Sequence, residues 1–265
     1  MFAAYKQAHE YISKYFKDNH PIGIILGTGL GGLVNEIKNQ TNIDYGDIPN
    51  FPVSTVETHH GKLISGKIGG KKIIAMQGRF HFYEGYSHKQ VTFPLYVMKL
   101  MGVKFLIVSN ACGALNPQFR KTDLMLITSH VNFHFTTPLM NFRYNATPAS
   151  AFYSKRLIDL CSQTALENSI GLHKGVYLSV QGPNLETRAE YAMVRKLGAD
   201  VVGMSTIPEV LVARQLGFET LGLSIITDEG FPDTLKVAVL EEIVHAAGIA
   251  EPRLTKLTVK LIGKL

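Results

Sequence analysis

The sequence predicts a single α/β domain over residues 1–265, in which helices cover both faces of a central mixed β-sheet. Three observations predict this fold class. Short apolar runs alternate with amphipathic segments, a glycine separates several of these pairs, and one Gly-Gly step joins two apolar runs as in a β-hairpin. No stretch rich in proline, serine or glycine divides the chain, so we expect one domain.

A motif of helix, glycine and strand occurs three times. Glycine adopts at little cost the left-handed conformation that ends many helices, and short apolar runs are typical of buried strands. The predicted strands are 104–109 (KFLIVS) after Gly102, 200–203 (DVVG) after Gly198, and 220–227 (TLGLSIIT) after Gly217. The repetition indicates a sheet with helices packed on its faces.

Further strands are predicted on either side of this motif. Residues 22–26 (IGIIL) and 176–180 (VYLSV) are apolar runs of strand length. Residues 63–68 and 72–76, joined by Gly69-Gly70, are expected to pair as a hairpin. The sheet is therefore predicted to contain antiparallel as well as parallel strands.

Polar side chains follow six of the predicted strands. Ligands of open α/β sheets bind beyond the carboxyl ends of the strands, so we expect these side chains to share one crevice. They are Thr28, Gln77 with Arg79, Asn110, Ser205, Asp228, and the segment 181–186 (QGPNLE) after the run 176–180.

A glycine-rich turn, 27–32 (GTGLGG), follows the first strand and is expected to open a helix whose N–H groups face an anion. The turn also fits the dinucleotide-binding pattern of an oxidoreductase, which requires a second strand ending in an acidic residue about 20 residues later. Residues 49–52 (PNFP) are rich in turn formers instead. The sequence favours a phosphate-binding turn, with a plain packing turn as the alternative.

The segment 77–86 (QGRFHFYEGY) carries Arg79 and His81 at alternate positions. On an extended chain both side chains point the same way and can hold one anion, and Tyr83 on the same face suits a sugar hydroxyl. A surface loop with an arginine salt bridge is the alternative, and the pattern alone does not separate the two.

Two carboxylates, Glu186 and Asp228, follow neighbouring predicted strands. In a closed crevice they could bind the edges of a flat heterocycle or hold a proton at a raised pKa. Neither His59-His60 nor His130 with His134 supplies a recognised set of metal ligands, so we predict no metal site. Cys112 is expected to be a small packing residue.

Composition excludes several classes of protein. Apolar residues make up 46% of the chain and charged residues 18%, which argues against disorder. The net charge of +6 is spread along the chain, whereas nucleic-acid-binding proteins concentrate their basic residues. Two cysteines, no signal-peptide pattern and no apolar run of membrane-spanning length predict a cytoplasmic protein that binds neither nucleic acid nor membrane.

Seven blocks of the sequence, taken in order, resemble the purine nucleoside phosphorylases of the homotrimeric, low-molecular-mass type. The blocks are 26–31 (LGTGLG), 51–56 (FPVSTV) with His59, 77–86, 110–116 (NACGALN), 181–187 (QGPNLET), 203–209 (GMSTIPE) and 226–228 (ITD). The resemblance implies one such domain and a homotrimer. It also implies reversible phosphorolysis of purine nucleosides in purine salvage, with phosphate as co-substrate and no metal or organic cofactor.

The resemblance also implies roles for single residues. His81, Glu186 and Asp228 would be the catalytic residues, and ribose would contact His59, Tyr83 and Met204. Phosphate would be bound by Thr28 (serine in the family), Arg79, His81, the backbone of Ala111, and Ser205. The base would contact Glu186, Asp228 and Ala111.

Several positions depart from the family pattern and leave the preferred base open. Asp228 stands where the family usually has asparagine, Leu185 where it has phenylalanine, and Leu240 where a histidine contacts the 5′-hydroxyl. The aromatic residue that the family takes from a neighbouring subunit falls in 141–150, with Tyr144 as one candidate. Glu186 suits the N1–H of a 6-oxopurine. Asp228 resembles the aspartate that the methylthioadenosine phosphorylases carry at the base position, which makes adenine nucleosides alternative substrates. A nucleoside-binding protein without turnover is a further alternative.

Overall fold

A computed structural model describes residues 2–17, 19–53, 61–139, 152–236 and 239–265. Its strands are β1 (Ile22–Leu26), β2 (Lys38–Asp44), β3 (Lys62–Ile68), β4 (Lys71–Gln77), β5 (Phe105–Ala114), β6 (Leu124–Asn132), β7 (His173–Ser179), β8 (Val201–Gly203) and β9 (Glu219–Glu229). Its α-helices are α1 (Phe2–Ile12), α2 (His88–Val91), α3 (Phe93–Leu100), α4 (Lys155–Glu167), α5 (Arg188–Lys196), α6 (Ile207–Gln215) and α7 (Leu240–Gly263).

The described strands form one mixed sheet in the order β2-β3-β4-β1-β5-β8-β7-β6-β9. Strand β9 also pairs with β5, so β5, β8, β7, β6 and β9 close into a small barrel, and the remaining strands extend from it as an open sheet. The predicted mixed sheet is confirmed, as is the hairpin of β3 and β4. The barrel closure was not predicted.

Helices cover both faces of the sheet, as predicted. Neighbouring residues of β1 point to opposite faces, and they belong to two different apolar cores. Ile25 packs in the core that contains residues of α1, α3 and α6, whereas Ile24 packs in the core that contains residues of α4 and α7. The predicted glycines Gly102, Gly198 and Gly217 follow α3, α5 and α6 with φ values of 90°, 88° and 75°.

Strand β5 changes its partner halfway along one edge. Its pairing with β1 ends at Val108, and its pairing with β8 begins at Gly113. Between these points, residues 109–112 have no paired strand on that edge among the described strands. Such a change of partner opens a crevice in an α/β sheet, and it places the backbone of Ala111 at the edge of this crevice.

The segments after β7 and β8 share the crevice with the other strand ends, but their strands run in the opposite direction to β5. Strand β8 runs antiparallel to β5 and parallel to β7, because these strands belong to the closed barrel. The segments after β7 and β8 therefore reach the crevice from the opposite direction. Asn110 does not end β5, since the strand continues to Ala114 through a register shift after Cys112.

Candidate active site

A cavity of about 390 Å³ opens where β5 changes partners. Gln77, which was also expected in the crevice, lines a different cavity beside the glycine-rich turn instead. Every described residue for which the family resemblance implies a role lines the first cavity. These residues are Thr28, Arg79, His81, Tyr83, Ala111, Glu186, Met204, Ser205 and Asp228. His59 and Tyr144 lie outside the described residues. Folding thus brings together side chains that are up to 200 positions apart in the chain, from Thr28 to Asp228.

Arg79 is buried and lies at one end of the cavity, with only 2% of its surface exposed. Its Nε donates to Oε1 of Glu209 at 3.1 Å, and its Nη1 donates to the carbonyl of Ser109 at 2.6 Å and to Oγ of Ser205 at 3.1 Å. Arg79 does form an ion pair, but a buried one that fixes the guanidinium beside Ser205. Sequence reasoning missed Glu209, although a lone carboxylate in the apolar run IPEVLVA indicates a buried acidic residue that needs a partner.

His81 is held by Glu84 through two contacts. The Nδ1 atom of His81 lies 2.8 Å from Oε1 of Glu84, and the backbone N–H of His81 donates to the same oxygen at 2.7 Å. The ring of Tyr83 stacks on the imidazole with 4.7 Å between centroids. Burial raises the pKa of Tyr83 to about 12, so its phenol is neutral and can donate a hydrogen bond.

The glycine-rich turn brings the chain against β5. The Gly27 N–H donates to Oγ of Ser109 at 3.0 Å, and a Cβ on Gly27 would lie 2.3 Å from the Ser109 carbonyl oxygen. The expected helix is a 3-10 helix over Gly31–Glu36, and the Gly32 N–H donates to Glu251 of α7. The N-terminus of this helix therefore faces an anion that the protein itself supplies, the carboxylate of Glu251. Thr28, the second residue of the turn, lines the cavity.

Ser205 belongs to a strained turn after β8. Thr206 has φ 73° and ψ −50°, a conformation that costs free energy for a residue with a branched Cβ. The Ile207 N–H donates to the Ser205 carbonyl at 2.8 Å, which closes a γ-turn. From β5, the side-chain amide of Asn110 donates to Oγ1 of Thr206 at 2.9 Å.

Glu186 and Asp228 form the acidic end of the cavity. Asp228 is 9% exposed and accepts a hydrogen bond from Oγ1 of Thr227 at 3.0 Å. Burial raises the pKa of both carboxyls, and the charge of Asp228 further raises the pKa of Glu186. The Oε1 atom of Glu186 is buried without a hydrogen bond from any described residue, so the site provides an acceptor for a ligand N–H. Gly113 leaves room for Asp228, because a Cβ there would lie 2.6 Å from Oδ2.

Apolar side chains complete the walls of the cavity. Leu185, Leu240 and Ile243 line it, and Leu240 is 68% exposed at its rim. The Cys112 thiol is buried, lies 3.5 Å from the Ile225 carbonyl oxygen, and has a pKa raised by burial, so it is a poor nucleophile. This arrangement agrees with the predicted packing role of Cys112.

The described residues contain neither a cluster of metal ligands nor a helix of membrane-spanning character. No group of three or more His, Cys, Asp or Glu side chains in this part of the chain is arranged to hold a metal ion. No helix in the described ranges is long and apolar enough to span a membrane.

Comparisons with known proteins agree with the sequence resemblance. The family described as the phosphorylase superfamily matches residues 21–263. Purine nucleoside phosphorylase 1 of Bacillus subtilis is 49% identical over 212 residues, which cover 78% of each chain. Purine nucleoside phosphorylase of Bos taurus is 38% identical over 273 residues, which cover 98% of this chain and 94% of the bovine protein.

Solved structures show the same fold. Isoform 2 of the Schistosoma mansoni purine nucleoside phosphorylase, in complex with cytosine and ribose-1-phosphate, superposes with a TM-score of 0.94 and 36% identity over 100% of this chain and 97% of that one. A Schistosoma mansoni purine nucleoside phosphorylase in complex with adenosine gives 0.93 and 37% over 98% and 96% of the two chains. The chain therefore belongs to the purine nucleoside phosphorylases of the phosphorylase superfamily.

Proposed function

We propose that this protein, as one catalytic domain, catalyses the reversible phosphorolysis of purine nucleosides to the free base and ribose or deoxyribose 1-phosphate. The observation that supports this most directly is the polarity of the cavity. Arg79, His81 and Ser205 lie at one end, and the buried carboxyl of Asp228 and the half-buried carboxyl of Glu186 lie at the other. The first end suits a phosphate dianion, and the second suits the hydrogen-bonding edge of a purine.

Phosphate is proposed to bind against the first end, where five groups are candidates for its oxygens. They are the side chains of Thr28, Arg79, His81 and Ser205 and the backbone N–H of Ala111. Cleavage of the ribosyl C–N bond passes through a sugar with oxocarbenium character, as in glycoside hydrolysis. A dianion fixed beside this sugar stabilises the developing positive charge and is positioned to attack C1′.

Ribose is proposed to lie between the two ends, where Tyr83 and Met204 line the cavity. The neutral phenol of Tyr83 can donate to a sugar oxygen, and Met204 offers an apolar surface to the ring. His59 is the third residue that the sequence predicts for the sugar. As the bond breaks, the purine takes the bonding electron pair and becomes negative, so it requires a hydrogen-bond donor at N7.

Asp228 is proposed to supply this donor when it is protonated. A carboxyl of raised pKa can transfer a proton to N7, whereas the ionised form accepts from an exocyclic 6-amino group. Glu186 accepts the N1–H of a 6-oxopurine through the oxygen that has no partner among the described residues. We therefore propose that inosine and guanosine are substrates and that adenosine is also accepted.

A second candidate is phosphorolysis of 5′-alkylthio or 5′-deoxy adenine nucleosides, as in the methylthioadenosine phosphorylases. The observation that favours it is the apolar rim. Leu240 and Ile243 line the cavity and offer no hydrogen bond to a 5′-hydroxyl, and Asp228 can bind a 6-amino group.

One assay separates these candidates. Base release from inosine, guanosine, adenosine and methylthioadenosine is measured with and without phosphate. Phosphate-dependent release of hypoxanthine or guanine supports the first candidate, and strong preference for methylthioadenosine supports the second. Binding without release from any of the four identifies a nucleoside-binding protein and refutes both.

We also propose a homotrimer, as the family resemblance implies. The supporting observation is a group of exposed apolar side chains beside the acidic end of the cavity. Phe135, Leu185 and Met193 are between 41% and 80% exposed in the single chain, and they line a second cavity to which Glu186 also contributes. A cytoplasmic location and a role in purine salvage remain predictions from the sequence.

A further inference from the structure

Three buried polar side chains lie behind Ser205, outside the lining of the cavity. Nε2 of His88 lies 3.4 Å from Nδ1 of His134, and Nε2 of His134 lies 2.7 Å from Oγ of Ser179. The Ser179 hydroxyl in turn lies 2.9 Å from the carbonyl oxygen of Ser205. We call this set, His88, His134 and Ser179, the histidine relay.

Donor and acceptor rules fix the direction of the relay. A carbonyl oxygen only accepts, so Ser179 donates its single proton to Ser205 and must accept from Nε2–H of His134. Burial lowers the pKa of His134 to about 4 and also lowers the pKa of His88, so both rings are neutral near neutral pH. A neutral His134 with a proton on Nε2 accepts at Nδ1, and His88 is therefore the donor to it.

The relay ends on the strained turn. The Ser205 carbonyl accepts two hydrogen bonds, one from the Ile207 N–H within the γ-turn and one from Ser179. The unfavourable φ of Thr206 persists only when surrounding contacts hold the turn. Asn110 holds it on the side of β5, and Ser179 holds it on the side of β7.

His134 is itself anchored by neighbouring segments. Its backbone N–H donates to Oδ1 of Asn132 at 3.1 Å, and its carbonyl accepts from Nε2 of Gln181 at 3.0 Å. The ring of His88 stacks on Phe82 at 4.8 Å. The relay thus contacts both segments that carry proposed phosphate ligands, the one with His81 and the one with Ser205.

We infer that His134 is a positioning residue for the phosphate site, acting through Ser179 to hold the strained turn that aims the Ser205 hydroxyl and Arg79 at phosphate. The inference rests on the proposed function, because Ser205 has this role only if phosphate binds there. It predicts that loss of the His134 hydrogen bond weakens phosphate binding without weakening nucleoside binding.

The test uses two substitutions at one position. His134→Phe keeps a ring but removes the donor, and His134→Gln places an amide N–H near the position of Nε2. We expect His134→Phe to raise the KM for phosphate about 5- to 10-fold, the factor corresponding to one ordinary hydrogen bond, while the KM for inosine stays unchanged. His134→Gln should restore most of the loss. Ser179→Ala should match His134→Phe, and the double variant should lose no more than either single one.

His20→Phe is the matched control, because His20 is buried and bonded to Oγ of Ser65 at 2.6 Å away from the cavity. It should leave both KM values unchanged. The second readout is the rise in Tm that phosphate alone produces, which requires no turnover. If this rise and the phosphate KM of His134→Phe and Ser179→Ala equal those of the unaltered protein, the inference is refuted.

The inference is also refuted if the KM values for inosine and for phosphate rise together in His134→Phe and Ser179→Ala. If His134→Phe does not fold, Ser179→Ala decides alone. A phosphate response of the unaltered protein without base release from any nucleoside refutes the proposed reaction and leaves the relay testable by Tm. Absence of any phosphate response refutes the phosphate site and the relay together.

Discussion

Arg79 and Asp228 are both buried ionisable side chains at the cavity, but they have different kinds of partner. The guanidinium of Arg79 is paired with Glu209 and remains a cation under all ordinary conditions. The Asp228 carboxyl accepts from the hydroxyl of Thr227, and burial raises its pKa. One end of the cavity thus carries a fixed charge, and the other end carries a charge that depends on pH.

We predict that Arg79→Ala raises the KM for phosphate about 10- to 100-fold. This factor corresponds to the loss of one charge-assisted hydrogen bond, which contributes about 1.5–3 kcal/mol. The KM for inosine should change little. Because the substitution also leaves Glu209 buried and unpaired, Tm should fall, and it must be measured beside the kinetics. Lys62→Ala, which removes an exposed ion pair with Asp44, is the control and should alter neither KM. An unchanged phosphate KM in Arg79→Ala would show that the phosphate site is misplaced.

We predict that Asp228→Asn lowers the ratio of kcat/KM for adenosine to that for inosine by about 10-fold or more, or at least about 1.4 kcal/mol. The ionised carboxyl accepts from the 6-amino group, and asparagine can donate to N7 but cannot transfer a proton. Because the pKa of Asp228 is raised, the protonated form that suits inosine persists to higher pH than for an ordinary aspartate. The ratio should therefore rise with pH in the unaltered protein and become independent of pH in Asp228→Asn. Equal losses on both nucleosides would contradict this account.

At the scale of single elements, the glycine-rich turn shows what a sequence pattern predicts and what it does not. The pattern of 27–32 predicted a tight turn beside an anion site, and Thr28 does line the cavity. The pattern contained nothing about Glu251, which is 219 residues from Gly32 in the chain and takes its N–H. A distant side chain that occupies a helix terminus is visible only after folding.

The packing of this turn gives a prediction. A Cβ on Gly27 would lie 2.3 Å from the Ser109 carbonyl oxygen, whereas a Cβ on Gly31 would have its nearest neighbour, Oε1 of Glu251, at 3.7 Å. Gly27→Ala should therefore destabilise the protein by about 1–3 kcal/mol, and because the turn carries Thr28 it should also raise the KM for phosphate. Gly31→Ala is the matched control within the same turn and should leave Tm and both KM values close to those of the unaltered protein. Equal Tm values for the two variants would contradict the close approach.

Strands were predicted well where their apolar character is continuous and poorly where it is not. The run 22–26 coincides with β1, and all five of its residues are buried. Strand β2, with the sequence KNQTNID, was missed because it is polar and mostly exposed at the edge of the sheet. Its Asp44 does end a strand, but that strand pairs antiparallel with β3 and lies away from β1, so the dinucleotide pattern is not completed.

At the scale of the whole molecule, closure of the barrel determines how the site is assembled. Asp228 comes from β9, which runs parallel to β5, whereas Ser205 and Glu186 follow β8 and β7, which run the other way. Sequence patterns identified these residues because each follows an apolar run, but they could not give the direction of the strands. Glu209, His88 and His134 were missed as supports of the site because each contacts it through partners that lie far away in the chain.

The last prediction concerns the assembly. Phe135 is 80% exposed beside a second cavity of about 480 Å³ that shares Leu185 and Glu186 with the site, and contiguous apolar surface of this kind is typical of an interface. We predict that the protein is a homotrimer, with light scattering giving three times the 29.3 kDa of one chain. Phe135→Glu should shift the mass toward that of one chain, because a charge in an apolar interface is costly to bury. Leu166→Glu is the matched control, since Leu166 is 81% exposed on α4 and belongs to no such patch around the cavity, and it should leave the mass unchanged. A monomer mass for the unaltered protein under assay conditions would refute the trimer, and equal masses for the unaltered protein and Phe135→Glu would place the interface elsewhere.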